Sequence, residues 1–332
     1  MVTIERLDSP GAPGSPPVLG QECRFAARGE SLAGVNYFLE HEGVLYPRPL
    51  RAEPDRGVRL YPEAPGRYAL LAAWQSVRGE SGWARTEFHV SGAHGSAPQR
   101  VTAGGETLWV PTAWDAQVIS AHEDHVFRHL RQIIRPGATV YDVGANVGLF
   151  SLRLGRWIGA GGWLYAIEPN PLCVSYLRAN LQQARLRHFT ILPVALSSRS
   201  CECGFSINYG SSLIGVGGDS AVAGKPGHHI RVEGQSLDTL IATFNLRKPD
   251  FIKLDVEGAE ASAVAGMMDT LEKNRPGLMI ELHGRQAASE TLRCLGGLGY
   301  EYLLSSTAVR YSTAEALLDS LPEACVQVVG YP

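Results

Sequence analysis

The stretch VYDVGANVGLF, residues 140–150, constrains this chain more than any other. An apolar strand runs straight into Asp142, Gly144 and Gly148 follow four residues apart, and apolar residues resume at once. Glycines at a strand tip let the backbone turn sharply and let a ligand approach it closely. Strand, glycine turn and helix in immediate succession belong to α/β sheets, which bind ligands beyond the carboxyl ends of their strands.

The chain after residue 105 repeats that alternation. DHVFRHLRQII predicts a helix ended by RPG. TVYDVG, WLYAIEP, FTILPVAL, DFIKLDVEG, GLMIELHG, YEYLLSS and ACVQVVGY read as strands with helices between them, one opened by Pro171. Strands of continuous apolar character alternating with helices imply a mostly parallel sheet covered on both faces. Residues 21–92 read differently. ECRFAAR, GVNYFLE, RGVRLYP, GRYALLAAW and ARTEFHVSG are short, aromatic or β-branched runs with no helical stripe between them, which predicts a small antiparallel sandwich. APGRYALLAAW resembles the turn-then-tyrosine entry into a late strand of immunoglobulin-like domains. Cys23 stands where such domains carry the first cysteine of a bridge, and Leu70 fills the partner position, so that bridge does not form. The small-residue run SGAHGSAPQR marks a boundary. The expected organisation is a β domain over 1–94, a linker over 95–106 and an α/β domain over 107–332, which suits a chain of 332 residues.

Composition excludes several classes. Thirty basic and 33 acidic residues give a net charge of −3, which calls for neither nucleic acid nor an anionic membrane. No apolar run approaches the roughly 18 residues of a membrane span, and the N-terminus carries no basic-then-apolar signal pattern. Of six cysteines only Cys201 and Cys203 lie close, so the expectation is free thiols in a reducing cytoplasm.

Glu168 ends the second strand, 20 residues past Gly148, where an acid accepts both hydroxyls of a ribose. A dinucleotide site wants G-x-G-x-x-G, but here Asn146 holds the middle position and Leu149 the last, and no lysine or arginine follows for phosphate. A cofactor without phosphates fits better, and S-adenosylmethionine offers a ribose, an amino-acid end and a sulfonium cation. A nicotinamide-dependent oxidoreductase is the rival enzyme class, weakened by Asn146. A non-catalytic binding protein on a vestigial fold is the other rival, weakened by the intact Asp142, Glu168 and Asp255.

VYDVGANVGLFSL, AIEPNPLCVSYLRANL, ILPVALSS, SLDTL and DFIKLDVEGAEASAVAG, followed by NRPGLMIELHG, resemble the FkbM family of S-adenosylmethionine-dependent methyltransferases, over roughly residues 107–332. The resemblance implies a class I, Rossmann-like methyltransferase with a mostly parallel seven-stranded sheet and an antiparallel last strand. It implies O-methylation of a small-molecule or glycan hydroxyl, and leaves homo-oligomerisation open. It assigns Asp142 and Gly144 to the methionine end of the cofactor, and Ala145, Asn146 and Gly148 to the turn beneath. Glu168 takes the ribose, Pro169 and Asn170 the adenine edge, Ala195 the ring flank, and Asp255 the methionine end or the methyl.

Lys253 and Asp255 share one face of their strand, and Glu281 on the next strand is the expected partner for the lysine. Glu257 and Glu260 open the following helix. His283, at the end of the fifth strand, is the expected general base, with Asp255 and Glu257 as the other catalytic candidates. Asp255, Glu257, Glu281 and His283 could instead hold a divalent metal. His122, Glu123 and His125 precede the first strand and are placed over the cofactor, and the Gly-rich residues 208–234 are expected to form a substrate lid.

Overall fold

The computed structural model describes residues 2–7, 23–28, 32–41, 44–45, 57–60, 66–78, 80–90, 99–110, 125–207, 228–321 and 325–332. They fall into two compact units, Met1–Pro98 and Gln99–Pro332.

The first unit holds β1 (Thr3–Arg6), β2 (Cys23–Arg28), β3 (Leu32–His41), β4 (Val44–Leu45), β5 (Gly57–Leu60), β6 (Gly66–Ser76) and β7 (Ser81–Val90). Its two sheets, β1-β2-β5 and β4-β3-β6-β7, are antiparallel throughout. Phe25 and Val58 from one sheet share a core with Tyr37, Leu70 and Ala84 from the other. The Tyr37 hydroxyl accepts from Ala27 N at 2.7 Å across that core, which satisfies a buried backbone donor. The five expected strands are present. The short β1 and β4 carry too little pattern to be read from sequence.

The second unit begins with a hairpin, β8 (Gln99–Ala103) and β9 (Glu106–Val110), whose first strand lies in the stretch the sequence predicts as linker. Asn180, 1% exposed, docks the hairpin. Its side chain accepts from Trp109 N at 2.8 Å and donates to Trp109 O and Val147 O. Glu106 pairs with Arg156 at 2.8 Å.

Next come α1 (His125–Ile133), β10 (Thr139–Val143), α2 (Leu149–Ile158), β11 (Trp163–Ile167), α3 (Pro171–Gln183), β12 (Phe189–Leu192), β13 (Ala195–Leu196), β14 (Cys201–Ile207) and β15 (His228–Gln235). The chain ends with α4 (Leu237–Phe244), β16 (Phe251–Leu254), α5 (Glu260–Ala265), α6 (Met268–Asn274), β17 (Gly277–Leu282), α7 (Gly284–Leu295), β18 (Glu301–Leu304), β19 (Val309–Tyr311), α8 (Ala314–Ser320) and β20 (Val326–Tyr331).

The main sheet runs β12-β11-β10-β16-β17-β20-β18-β19. Strands β10, β11, β12, β16 and β17 are mutually parallel, and β20 enters antiparallel between β17 and β18. The sheet has eight strands rather than the expected seven, because β19 turns back on β18 at the edge. Alternate residues such as Tyr141, Val143, Ile252, Leu254 and Ile280 pack on Leu237, Val264, Leu271, Leu292 and Leu317 of α4–α8. Leu152 of α2 and Leu177 of α3 are buried as well. Burial of both faces explains why these strands read as continuous apolar runs.

FTILPVAL divides at Pro193, which has no N–H to donate to a ladder. Its first part is β12 in the main sheet, and its second is β13 in a separate sheet ordered β13-β15-β14. Strand β15 takes up residues 228–234 of the expected lid. Residues 208–227, with His122 and Glu123, lie outside the described residues.

Candidate active site

Strand order reverses at β10. The chain moves outward through β11 to β12, then returns to the other side of β10 with β16. Crevices at such a switch point receive the ligands of open α/β sheets. Here the crevice is a cleft lined by Val143, Gly144, Asn146, Ile167, Glu168, Pro169, Val194, Ala195, Leu196, Asp255, Val256 and Glu257. It encloses about 480 Å³ of empty space, open solvent included.

The backbone makes the floor. Gly144 has φ +72°, and a Cβ there would lie 1.7 Å from Asp255 O, so no other residue fits without moving the strand tip. Gly144 N and Ala145 N both donate to Ile167 O, at 2.9 and 3.1 Å, and Asp255 N donates to Val143 O at 3.1 Å. These bonds tie the tips of β10, β11 and β16 together.

Buried charge holds that floor from below. Lys253 is 2% exposed and stands opposite Asp142 in the β10–β16 register. Its Nζ donates to Gly144 O at 2.8 Å and lies 3.4 Å from Asp142 Oδ1 and 3.3 Å from Asp255 Oδ2. Ser151 Oγ donates to Asp142 Oδ2 at 2.6 Å. The expected partner Glu281 acts on Lys253 through its charge, after Asp255 and Asp142, while its direct contacts are to His283 and Gln327. The register explains the difference, since Lys253 faces Met279 on β17, two residues short of Glu281.

Glu168 is fully buried, although a strand-end acid is expected at the surface. It accepts from Asn146 N and Asn170 N, both at 2.8 Å. Burial pushes its pKa up to about 7, against the two backbone donors and the Lys253 charge, which pull it down.

A second group adjoins the cleft. His283 Nδ1 lies 2.8 Å from Oε1 of Glu260, which has no exposed surface. Nε2 lies 3.3 Å from Glu257 Oε2 and 3.8 Å from both Asp255 Oδ1 and Glu281 Oε1. Partial burial alone would lower the imidazole pKa. Contact with Cys325, the Glu260 hydrogen bond and the Glu257 charge outweigh it and raise the value to about 11. Burial raises Glu257 to about 7, against the opposing pull of His283. Asp255, Glu257 and His283 offer ligand atoms within 4.8 Å of one another, as do Glu281, His283 and Cys325. Hard oxygens with one imidazole suit a divalent ion of the magnesium-to-zinc range.

Of the sequence-predicted residues, Gly144, Asn146, Glu168, Pro169, Ala195, Asp255 and Glu257 line the cleft. Asp142, Ala145, Gly148 and Asn170 are buried and do not line it. Asp142 acts through Lys253, and Asn170 through Glu168. His283 reaches the cleft through its contact with Glu257. The apolar walls Val143, Ile167, Val194, Leu196 and Val256 are not singled out by sequence. Strand-end position is the signal that would have found them.

A doubly wound α/β unit with a ligand cleft at its switch point is thus the class that fold and site define. Residues 142–302, just under half of the chain, match the methyltransferase FkbM domain. The 2-O-methyltransferase NoeI of Sinorhizobium fredii is 27% identical over 44% of this chain and 65% of its own length. The hexuronic acid methyltransferase AglP of Haloferax volcanii is 26% identical over 52% of this chain and 67% of its own. The 31-O-demethyl-FK506 methyltransferase FkbM of Streptomyces tacrolimicus is 27% identical over 50% and 74%. The chain thus matches only about two thirds of the length of NoeI and AglP. A crystal structure of methyltransferase FkbM from Methylobacillus flagellatus superposes with TM-score 0.38 and 16% identity, covering 66% of this chain and 55% of the other.

Proposed function

We propose that the second unit is an S-adenosylmethionine-dependent O-methyltransferase acting on a hydroxyl of a glycan or secondary metabolite. The observation that carries this reading is the cleft itself. Its lining combines apolar walls, a glycine floor and the Glu168 carboxylate, and among the described residues it includes no lysine or arginine for a phosphate. That chemistry suits an adenosine carrying a cationic, phosphate-free tail. Glu168 and Asn146 are assigned to the ribose side, Pro169 and Ala195 to the adenine, and Asp255 with Gly144 to the amino-acid end.

The cofactor supplies an electrophilic methyl group. The chain's own task is to hold the acceptor oxygen in line and to take its proton. Glu257 is assigned as the base, because a pKa of about 7 leaves part of it ionised at neutral pH and it faces the cleft. His283, raised to about 11, carries a proton there, so we assign it to orienting Glu257 rather than to taking the acceptor's proton. With a methyl donor bound, Glu257 would take the hydroxyl proton as the acceptor oxygen is methylated.

We read Met1–Pro98 as an immunoglobulin-like sandwich, supported by its two antiparallel sheets around one core, and assign it to acceptor recognition or oligomer contacts. No helix among the described residues is long and apolar enough to cross a membrane. The free thiols of Cys173, Cys201, Cys203, Cys294 and Cys325 fit a reducing cytoplasm.

The test is titration calorimetry with S-adenosylhomocysteine and with NAD, followed by turnover with labelled S-adenosylmethionine on panels of sugars, glycolipids and polyketides. Binding of the first ligand alone is expected, with label entering an O-methyl group. Tight NAD binding without S-adenosylhomocysteine binding would reject the assignment.

A further inference from the structure

Strand β14 opens with Cys201-Glu202-Cys203. Residues two apart in a strand point to the same face, so both thiols meet on one side of β14. Their sulfurs lie 3.2 Å apart. One thiol donates to the other at that distance, so the two sulfurs are already in direct contact. Gly234 on β15 makes the room, since a Cβ there would lie 2.6 Å from each sulfur. Gly234 is also paired with Ala195, which lines the cleft. The thiols therefore lie one strand away from the cleft wall.

We propose that Cys201 and Cys203 form a redox-active dithiol, a modification site for small-molecule disulfides of the glutathione class, whose closure loosens the Ala195 side of the cleft. Cys201 is partly exposed and attacks the incoming disulfide, forming a mixed disulfide and releasing one thiol. Cys203, 6% exposed, then attacks the Cys201 sulfur and releases the second thiol. In sum, two cysteine thiols and one small disulfide give one protein disulfide and two small thiols. A strand advances about 6.7 Å over two residues, close to the longest Cα separation of about 6.8 Å that a disulfide tolerates. The bond is therefore strained, which makes it easily reduced and suits a reversible switch rather than a staple. Bending β14 to relieve the strain moves Gly234, and with it the pairing to Ala195.

The experiment treats the full chain with oxidised glutathione and reads the peptide holding both cysteines by mass spectrometry. Loss of two hydrogens, reversed by reduced glutathione, is expected. Cys203→Ser should stop at a glutathione adduct on Cys201, and Cys201→Ser should stay unmodified at Cys203. A parent chain that keeps both thiols, or that stops at the adduct, overturns the proposal. So does Cys201→Ser reacting at Cys203 as fast as the parent reacts. The second readout rests on the cofactor assignment above: oxidation should weaken S-adenosylhomocysteine binding about tenfold, and reduction should restore it. If reduced protein does not bind that ligand, the cofactor assignment fails while bond closure still stands on the mass data. Closure with unchanged affinity overturns the link to the cleft.

Discussion

The turn over residues 142–148 and the cluster around His283 stand near the carboxyl ends of β10 and β17, with β16 between them. They are built by opposite means. The turn is backbone held by one buried cation, Lys253, set between Asp142 and Asp255 with its Nζ on Gly144 O. The cluster is side chains only, with Asp255, Glu257, Glu260 and Glu281 facing one imidazole. A floor of that kind fixes a shape. A cluster of that kind sets protonation states: burial raises Glu257, while, against the pull of burial, contact with Cys325 and the Glu260 and Glu257 carboxylates raises the His283 imidazole. The two regions meet at Asp255, which contacts Lys253 on one side and His283 on the other.

Breaking the floor should cost most. Lys253→Met leaves Asp142 fully buried and without its cation. Removing one partner of a buried pair typically costs about 3–5 kcal/mol. Denaturant melts should show that loss, together with weakened S-adenosylhomocysteine binding. A stability change below about 1 kcal/mol would mean that Lys253 does not hold the floor, since surface ion pairs reach only that value.

Breaking the cluster should spare the fold and strike turnover. Glu257→Gln removes the carboxylate that faces both cleft and imidazole. General-base help is worth about 100- to 10,000-fold, so turnover should fall within that range while cofactor affinity holds. A chelator added to the parent should leave turnover unchanged if Glu257 takes the acceptor's proton without a metal beside it. Inhibition by chelation, reversed by Mn²⁺, would turn the cluster from a proton-holding site into a metal site.

The same contrast explains how much the sequence revealed. Gly144, Asn146, Glu168, Ala195 and Asp255 were legible because the turn is local and strand ends are marked by the alternation of strand and helix. The partners of Lys253 were not, since they depend on cross-strand register, which opposes it to Asp142 and Met279. The sheet β13-β15-β14 was hidden for a related reason: it pairs residues near 200 with residues near 230, across a stretch whose composition reads as loop. The four carboxylates folded around His283 were not legible either, since an imidazole's ordinary pKa says nothing of them, and they are why we propose Glu257 in its place as the base.

The smallest expected effect is a pH dependence that separates the two regions. Glu168, in the cleft floor, has a folded pKa of about 7, above the ordinary 4.5. In the apoprotein the folded state therefore holds a proton more tightly than the unfolded chain between those values. The stability from Glu168 is present at low pH and is lost as pH rises through about 7. Ligand binding should run the other way. Ribose hydroxyls donate best to the ionised carboxylate, so S-adenosylhomocysteine should bind about tenfold more tightly at pH 8 than at pH 6, one pKa unit being worth about 1.4 kcal/mol. Glu257 titrates in the same range, so the measurement belongs in the Glu257→Gln background. There, Glu168→Gln should flatten the slope, because an amide carries no proton to lose. An affinity that stays level or falls from pH 6 to pH 8 in Glu257→Gln alone would take the ribose away from Glu168. The buried acid would then be a brace for the Asn146 and Asn170 amides and nothing more.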